Sequence, residues 1–396
     1  MKPSGVRPIR RLLLSAYACD PNSGSEPGAG WAFLKASLRS CDNVTVLTRT
    51  KNRGPIIRGL SAHERNRVHI LVHDLPAPLR WLKHRLRGGT QLYYLCWQLS
   101  AVSKLRRIHR EDPFDLAHHV TFAADWQPCA LAYQENLPFI WGPVGGSQYA
   151  PGPLRRYLGW RGRLTHGVRR LVTKCGHLFF GKPTGRACSQ ALAMNTDVAA
   201  VFSSICPTEV FPNPVVQSHL RHRIDPLNTQ ILGVGSLLPL KGWALALAAL
   251  RHLPEKFHLL LAGDGPDKRR LQRHAQYLGV SDRITFLGSI PRTEVFQLMV
   301  KSRCLLHPTF HDSSSWVAAE AVAFGLPVVA LDLPGPREVL KNSENLLVDW
   351  RAPNLDYFLA NAVLTAPLTT QPINLFGPQR IAEFLPELYQ RLVESS

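Results

Sequence analysis

His307-Pro-Thr-Phe-His-Asp-Ser-Ser-Ser-Trp-Val-Ala-Ala-Glu320 is the stretch that decides how the chain is organised. The apolar residues Cys304 to Leu306 before it predict a short buried strand, and Trp316 to Phe324 has the apolar density of a buried helix. Its three serines therefore fall at a strand-to-helix turn. Such a turn binds anions in α/β proteins, because the free N–H groups and the dipole of a helix start attract negative charge.

Two carboxylates flank this turn: Asp312 precedes the serines, and Glu320 follows on the helix. Their separation is a little over two helical turns, so both can face one ligand from two heights. The alternative is that Asp312 merely caps the helix and Glu320 is solvated. These residues alone leave the two interpretations open, and the rest of the chain decides between them.

From residue 229 onward, predicted strands and helices alternate strictly. The strands are Gln230 to Val234, Phe257 to Ala262, Ile284 to Leu287, Cys304 to Leu306 and Val328 to Leu331. The helices between them are Ala244 to Arg251, Asp267 to Tyr277, Glu294 to Val300 and Trp316 to Phe324. This alternation implies parallel βαβ units with right-handed crossovers.

The first half begins with an ambiguous segment. Basic residues followed by Leu12 to Ala18 resemble the start of a signal peptide, but a mostly apolar stretch of seven residues better suits a first buried strand. A glycine-rich turn at residues 24–30 then leads into a helix that ends at about Ser40, which favours the strand. Further strands are predicted at residues 44–47 and 68–72.

Two later strands of the first half end in polar or glycine-rich sequence. One ends at His118-His119 and the other, Pro138 to Trp141, runs into Gly145-Gly146. In open parallel sheets the carboxyl ends of strands line the ligand crevice. We therefore predict that His118 or His119 faces a crevice rather than the core.

Positive charge is concentrated in the first part of the sequence. The chain has a net charge of +19, and residues 1–228 hold 31 Lys/Arg and 13 Asp/Glu, against 16 and 15 in residues 229–396. No acidic residue occurs between Glu135 and Asp197, where nine cations lie: Arg155, Arg156, Arg161, Arg163, Arg169, Arg170, Lys174, Lys182 and Arg186. A surface of one sign attracts nucleic acid, anionic membrane or a phosphorylated substrate. Nucleic acid is not expected, because no stacking platform or binding motif accompanies the charge.

Apolar residues accompany these cations. Residues 79–110 predict two basic amphipathic helices, which suit either a membrane interface or a core helix with a basic solvent side. Beside the acid-free stretch, shallow membrane insertion is conceivable for Leu154, Tyr157, Leu158, Trp160, Leu171, Leu178, Phe179 and Phe180. No run approaches the roughly 18 apolar residues of a membrane-spanning helix. Eight scattered cysteines without a CxxC motif favour a reducing cytoplasm.

The second half strongly resembles the retaining glycosyltransferases of family 4, from about Ile231 to Leu340. The resemblance rests on glycine-rich strand ends in the right order: Gly235-Ser236-Leu237 with Lys241-Gly242, Gly263-Asp264-Gly265-Pro266, Gly288, the Asp312 to Glu320 element and Gly325-Leu326-Pro327. The first half is similar to a bacterial polysaccharide-assembly branch of that family. It shares Ser15-Ala16-Tyr17, Gly24-Ser25-Glu26-Pro27-Gly28, His118-His119-Val120-Thr121 and Trp141-Gly142-Pro143-Val144-Gly145-Gly146.

The resemblance implies an α/β chain of the GT-B fold, in which two Rossmann-like doubly wound parallel-sheet domains face a cleft. It predicts an acceptor-binding domain at residues 1–215 and a nucleotide-sugar-binding domain at 229–375. A C-terminal helix at 376–396 is expected to pack back on the first domain. The implied activity is retaining, metal-independent hexosyl transfer from a UDP- or GDP-sugar to a glycan or lipid-linked acceptor in cell-surface polysaccharide synthesis.

Site residues follow from the same resemblance. Lys241 neutralises the donor diphosphate, Ser313, Ser314 and Ser315 present backbone N–H groups, Glu320 accepts from the ribose hydroxyls, and Asp312 contacts the sugar. Gly235, Ser236 and Gly263 line the donor site, and His118 or His119 hydrogen-bonds the sugar. The predicted acceptor or cleft loops contain Gly24, Ser25, Glu26, Gly28, Gly145 and Gly146. The nucleotide sugar is a substrate, and no cofactor or metal is expected, since no Asp-x-Asp motif occurs.

Three positions depart from the family pattern: Ser236 replaces an arginine, Asp312 a glutamate and Ser315 a glycine. The first removes one of two cations from the leaving group, so a weakened or non-catalytic relative that binds nucleotide sugar or glycan is the alternative function. The acid-free stretch predicts a cytoplasmic protein that docks peripherally on the inner, anionic face of the cytoplasmic membrane.

Overall fold

The computed structural model describes residues 9–86, 88–146, 148–216, 228–341, 344–368 and 370–394. The chain forms two compact units. Unit 1 contains residues 1–147, 172–215 and 377–396, and unit 2 contains residues 148–171 and 216–376.

Unit 1 is built on a seven-stranded sheet in the order β3-β2-β1-β4-β5-β6-β7, and every pairing is parallel. Its strands are β1 (Ile9–Ser15), β2 (Cys41–Thr48), β3 (Val68–Val72), β4 (Leu116–His119), β5 (Phe139–Val144), β6 (Gln190–Ala193) and β7 (Thr208–Val210). The continuous apolar run of β1 suits a central strand that is covered on both faces. The segment predicted as either signal peptide or strand is therefore a strand in this structure.

Helices connect these strands and cover the sheet. The helix α6 (Gly159–Gly176) is divided, since its residues 159–171 belong to unit 2 and its residues 172–176 to unit 1. The helices of unit 1 are α1 (Ser25–Ser40), α2 (Thr50–Gly59), α3 (Ala62–Arg65), α4 (Ala77–Arg85), α5 (Gly89–Glu111), α7 (Lys182–Ala187), α8 (Thr196–Phe202) and α15 (Pro378–Glu394). The last of these, α15, belongs to unit 1, where the buried Tyr389 hydroxyl lies 3.0 Å from Ser37 Oγ of α1.

Unit 2 repeats the architecture with six parallel strands in the order β10-β9-β8-β11-β12-β13. The strands are β8 (Gln230–Val234), β9 (His258–Ala262), β10 (Ile284–Gly288), β11 (Cys304–His307), β12 (Val328–Leu331) and β13 (Leu346–Val348). The helices are α9 (Trp243–Leu250), α10 (Lys268–Leu278), α11 (Arg292–Lys301), α12 (Trp316–Phe324), α13 (Pro334–Leu340) and α14 (Leu355–Thr365). The apolar helices α9 and α12 are almost wholly buried, as their composition predicts. Two Rossmann-like parallel sheets confirm the predicted fold class.

The predicted first domain, residues 1–215, does not form one unit throughout. Residues 148–171 leave unit 1 and pack with unit 2, because Leu154 and Leu158 are fully buried in the core that α9 forms. This also changes the charge distribution. Unit 1 carries 25 basic and 15 acidic residues and unit 2 carries 22 and 13, so the two net charges, +10 and +9, are nearly equal.

The apolar residues considered for membrane insertion fall into two groups. Leu154 and Leu158 are core, and Tyr157 and Phe180 are half-buried, so the prediction is wrong for Leu154 and Leu158. Trp160, Leu171, Leu178 and Phe179 are exposed. In the α4–α5 segment Tyr93, Tyr94 and Trp97 are core, whereas Leu79, Trp81 and Leu86 are exposed. Among the described residues, no helix is long and apolar enough to cross a membrane.

Candidate functional site

The turn that carries Lys241 is fixed against the loop after β11. Gly242 has a φ of +73°, and a Cβ atom there would lie 1.9 Å from the Pro308 carbonyl oxygen, so only glycine permits this approach. Phe310 N donates to Leu240 O at 2.9 Å across the same junction. Two segments far apart in sequence are thereby held in register, and Lys241 reaches Asp312.

Four side chains form a polar cluster at this junction. Lys241 Nζ donates to Asp312 Oδ2 at 3.2 Å, and His307 Nε2 lies 3.3 Å from the same oxygen. His307 Nε2 also lies 3.1 Å from Ser315 Oγ. His307 and Ser315 are buried, whereas Lys241 keeps 27% of its side chain exposed and Asp312 keeps 16%. The cluster thus has a buried side, formed by His307 and Ser315, and an ion pair that solvent reaches.

The charge state of Asp312 follows from these contacts. Burial would raise the pKa of its carboxyl, but the charge of Lys241 and the hydrogen bonds from His307 and Lys241 outweigh burial and hold the pKa well below its ordinary value. Asp312 is therefore ionised at neutral pH. A negatively charged ligand that approaches Lys241 competes with Asp312 for the ammonium group.

The start of α12 lies beside the cluster. Ser315 precedes the helix and makes no side-chain cap, since its hydroxyl bonds to His307 instead. The Ser314 hydroxyl is buried and has no hydrogen-bond partner among the described residues. The first N–H groups of α12 and an unused hydroxyl therefore coincide at the predicted phosphate-binding turn.

Glu320 lies on α12 with only 8% of its surface exposed. Burial raises the pKa of its carboxyl, and the opposing influence of Arg292 does not cancel that effect. Arg292, the first residue of α11, donates to Glu320 Oε1 from Nε at 3.1 Å and from Nη2. Glu320 is therefore a buried carboxylate held by Arg292, not the solvated helix residue of the alternative interpretation.

The remaining predicted donor residues lie at the carboxyl ends of β8 and β9. Gly235 N donates to Ala262 O at 2.9 Å, and Gly263 N donates to Gly288 O at 2.7 Å. Gly263 has a φ of +145°, and a Cβ atom there would lie 2.0 Å from Gly235 O. Ser236 is exposed, and its carbonyl accepts from Trp243 Nε1 at 3.1 Å.

A further cation reaches the same loop from the segment before residue 171. Arg169 on α6 lies with Nη2 2.6 Å from His311 Nε2, and His311 immediately precedes Asp312. Burial, reinforced by the charge of Arg169, lowers the pKa of His311 to about 3. His311 is therefore neutral and accepts this hydrogen bond.

His118 and His119 lie in the interior of unit 1, so the prediction that one of them faces an open crevice is wrong. Successive residues of β4 point to opposite faces of the sheet, and helices cover both faces. His118 bonds to Tyr389 Oη at 2.8 Å and to Gly142 O at 2.9 Å, and His119 bonds to Tyr94 Oη at 2.9 Å and to Ser15 Oγ at 3.0 Å. Burial lowers the pKa of each ring to about 3. A contact between either ring and a sugar stays a prediction.

Three of the other predicted residues of unit 1, Glu26, Gly145 and Gly146, contact the loop after β4. Glu26 accepts from Phe122 N at 2.7 Å and from Asn213 Nδ2 at 2.8 Å, Gly145 N donates to Ala123 O at 2.9 Å, and Gly146 packs on Asp125. Burial raises the pKa of Glu26. Gly24 and Ser25 begin α1, and Gly28 packs on Ser23 O in its first turn. The structure thus gathers these loops in unit 1 and the donor residues in unit 2.

Sequence reasoning missed His307, Arg292, His311 and Arg169. His307 was available as the last residue of a predicted strand beside Asp312. Arg292 and Arg169 carry no such signal. They lie 28 and 142 residues from their partners in the sequence, and no local pattern links positions so far apart.

This chain is similar to known proteins in both sequence and fold. Residues 219–354 match the family model of the glycosyl transferases group 1. The chain is 24% identical over 300 residues to 2-deoxystreptamine glucosyltransferase of Streptomyces kanamyceticus, covering 70% of this chain and 74% of that protein. It is 32% identical over 131 residues to lipopolysaccharide glucosyltransferase WaaG of Escherichia coli, covering 32% and 34% of the two chains.

Solved structures are similar in fold to this chain over nearly its full length. HepE of Anabaena, crystallised in complex with UDP-glucose, is 18% identical, covers 97% of this chain and 98% of its own, and superposes with a TM-score of 0.55. With the two parallel sheets, these likenesses identify the chain as a glycosyltransferase of the GT-B fold that resembles family 4 and carries a glycosyl transferases group 1 domain at residues 219–354.

Proposed function

We propose that this glycosyltransferase moves a hexose from a UDP- or GDP-sugar to a lipid-linked or glycan acceptor, with retention of configuration and without a metal ion. The observation that carries the proposal is the Lys241–Asp312–His307–Ser315 cluster at the start of α12. UDP-glucose is the ligand of HepE, which shares the fold.

The charges of the cluster suit the leaving group. Cleavage of a sugar–phosphate bond develops negative charge on the diphosphate and positive charge on the sugar ring. Lys241 and the N–H groups of α12 stabilise the first charge, and the ionised Asp312 lies where it stabilises the second or accepts from a sugar hydroxyl. Glu320, buried and held by Arg292, accepts from the ribose hydroxyls of the nucleotide.

The donor and the stereochemistry are tested together. Purified protein is incubated with UDP-glucose, UDP-galactose, UDP-N-acetylglucosamine or GDP-mannose, and the anomer of the first product released in water or on a simple acceptor is followed by proton NMR. We expect one donor to be consumed with retention, equally with and without a chelator. An inverted product, or turnover that requires a divalent ion, contradicts the proposed mechanism.

The alternative is a relative that binds nucleotide sugar without transferring it, and Ser236 favours it. The residue is exposed and uncharged where the resemblance predicts a second cation. UDP binding without consumption of any donor, in the presence of membrane lipid extracts that contain acceptors, would establish this alternative.

We propose in addition that the chain docks on an anionic membrane through residues 160–171 of α6. Large apolar side chains form one stripe at helical spacing, and each is more than half exposed: Trp160, Leu164, Val168 and Leu171. The exposed cations Arg161 and Arg163 belong to the same part of the helix. An apolar face beside cations is typical of a helix that lies in a membrane interface, where each Lys or Arg contributes about 1 kcal/mol.

Vesicle co-sedimentation tests the docking. We expect binding to vesicles that contain anionic phospholipid, weakened by salt and by the triple variant Trp160→Ser, Leu164→Ser, Leu171→Ser. Tyr277→Ser on α10 is the matched control, since Tyr277 is also highly exposed. Protein that stays in the supernatant with anionic vesicles at low salt contradicts membrane docking and favours a soluble acceptor.

A further inference from the structure

Both faces of helix α6 differ from those of an ordinary surface helix, because its exposed face is apolar and its inner face is polar. The exposed stripe is apolar, whereas the inner face carries His166, which is buried, and Arg169 and Arg170, which are half-buried. These three positions follow helical spacing, so they belong to one face. Arg155, from the turn before α6, is half-buried and completes the group.

His166 is the central observation. Its side chain lies in unit 2 with 5% of its surface exposed, and neither ring nitrogen has a hydrogen-bond partner within the described ranges. Its ring packs against the Tyr149 ring in a T-shaped arrangement, with the two ring centroids 6.2 Å apart. Burial and the charges of Arg155, Arg169 and Arg170 lower its pKa. A buried imidazole without partners costs free energy unless a ligand or water supplies them.

The chemistry of the group selects the ligand. Guanidinium groups donate from a planar fork that matches phosphate oxygens, and an imidazole N–H adds another donor. The group therefore fits an anion with several oxygens.

Its position links the group to the donor site. Arg169 Nη2 lies 2.6 Å from His311 Nε2, and the next residue, Asp312, is bonded to Lys241 at 3.2 Å. All of these residues belong to unit 2. A phosphate held here lies beside the loop that the donor diphosphate is proposed to occupy, where Ser236 leaves one cation missing.

We propose that His166, Arg155, Arg169 and Arg170 form a second phosphate-binding site, which holds a phosphate group of one of the two substrates next to the loop at residues 311–315. This inference rests on the proposed function. The phosphate comes either from the donor diphosphate or from a lipid-linked diphosphate acceptor, and both present the same chemistry to the site.

Calorimetric titration of pyrophosphate, UDP, uridine and farnesyl diphosphate distinguishes the sources. Variants Arg169→Gln and His166→Asn are compared with the control Arg161→Gln, an exposed arginine of the same helix. We expect both variants to weaken pyrophosphate binding at least tenfold, to leave uridine unchanged, and to match wild type in melting temperature. If either variant does not fold, Arg155→Gln replaces it.

Loss of UDP affinity in the variants assigns the site to the donor, and loss of farnesyl diphosphate affinity alone assigns it to the acceptor. If both variants bind all three phosphate ligands as wild type does while Lys241→Ala loses UDP affinity, the second site is overturned and the proposed function stands. If wild type binds neither UDP nor GDP, the proposed function fails, whereas pyrophosphate binding lost in the variants still supports the site.

Discussion

The ends of β4 in unit 1 and β11 in unit 2 occupy equivalent places in their sheets, yet they differ in chemistry. Each strand pairs with the first strand of its sheet, at the point where the strand order reverses. At β4, His118 and His119 are neutral, buried and fully hydrogen-bonded. At β11, His307 supports an ion pair between Lys241 and Asp312 that solvent reaches.

The segments after the two strands explain the difference. β11 leads into α12 through a short serine loop, so the first turn of a helix stands beside the ion pair. β4 leads into a loop whose amides bond to Glu26 and to Gly145. The topological switch point supplies a place for a ligand in both units. The ion pair that solvent reaches, and a Ser314 hydroxyl that has no hydrogen-bond partner among the described residues, are found at β11, where we propose that the donor binds.

The largest expected difference between the ends of β4 and β11 is in the free energy of unfolding. His118→Ala removes hydrogen bonds to Tyr389 and Gly142 in the core, and we expect the free energy of unfolding to fall by about 2 to 4 kcal/mol. The remaining folded protein should bind UDP as wild type does. Urea unfolding followed by circular dichroism, with UDP calorimetry, measures both. A stable variant with weakened UDP binding would show instead that His118 serves the ligand.

Lys241→Ala should give the opposite result. It removes the cation proposed for the diphosphate, so UDP binding should weaken by about 1.5 to 3 kcal/mol, the range for a hydrogen bond to a charged group. Calorimetry measures the loss, and Lys256→Ala, an exposed lysine of the same unit, is the control. Equal affinity in Lys241→Ala and wild type rejects the assignment.

The dependence of stability on pH tests in another way whether the histidines of β4 are buried in their neutral form. Their folded-state pKa of about 3 lies below the unfolded value of about 6.5, so the unfolded state binds more protons between these values. The contribution of these neutral rings to the free energy of unfolding is therefore fully present above pH 6.5. It declines as the pH falls toward 3, by up to about 1.4 kcal/mol per pH unit for each ring. In His118→Gln this slope should decrease by up to one ring's share; an unchanged slope would mean that His118 is not buried in its neutral form.

The smallest effect is expected at Glu320. Glu320→Gln keeps the shape but weakens acceptance from the ribose, so UDP affinity should fall by about 1 kcal/mol. The same substitution should not change the affinity for 2′,3′-dideoxy-UDP, which lacks both hydroxyls. Equal losses for the two ligands would place Glu320 in a structural role, through Arg292, rather than at the ribose.

The sequence predicts local structure in unit 2 well, because local patterns determine it. β8, α12 and β12 have the predicted bounds, and the order of apolar strands and helices is correct throughout. Asp312 and Glu320 could be predicted because they lie on either side of a serine turn between a strand and a helix, and Lys241 was predicted through the resemblance to family 4. Arg169 and Arg292 were not, because tertiary packing alone brings them to their partners.

Tertiary packing, rather than composition, also determines which apolar side chains of the basic segment are buried. Leu154 and Trp160 have similar apolar character in one basic segment, yet the first is fully buried and the second is 71% exposed. The transfer of residues 148–171 to unit 2 removed the charge asymmetry between the halves. Long-range contacts determine which unit a segment joins, and those contacts leave no periodic signal in the segment itself.

Hydrogen–deuterium exchange with and without UDP tests most directly whether the donor binds at β11 rather than at β4. We predict that UDP slows exchange at residues 236–242 and 311–319, around Lys241 and the start of α12, and leaves residues 116–125 unchanged. Protection confined to residues 116–125, or absent from both segments at saturating UDP, would contradict the account.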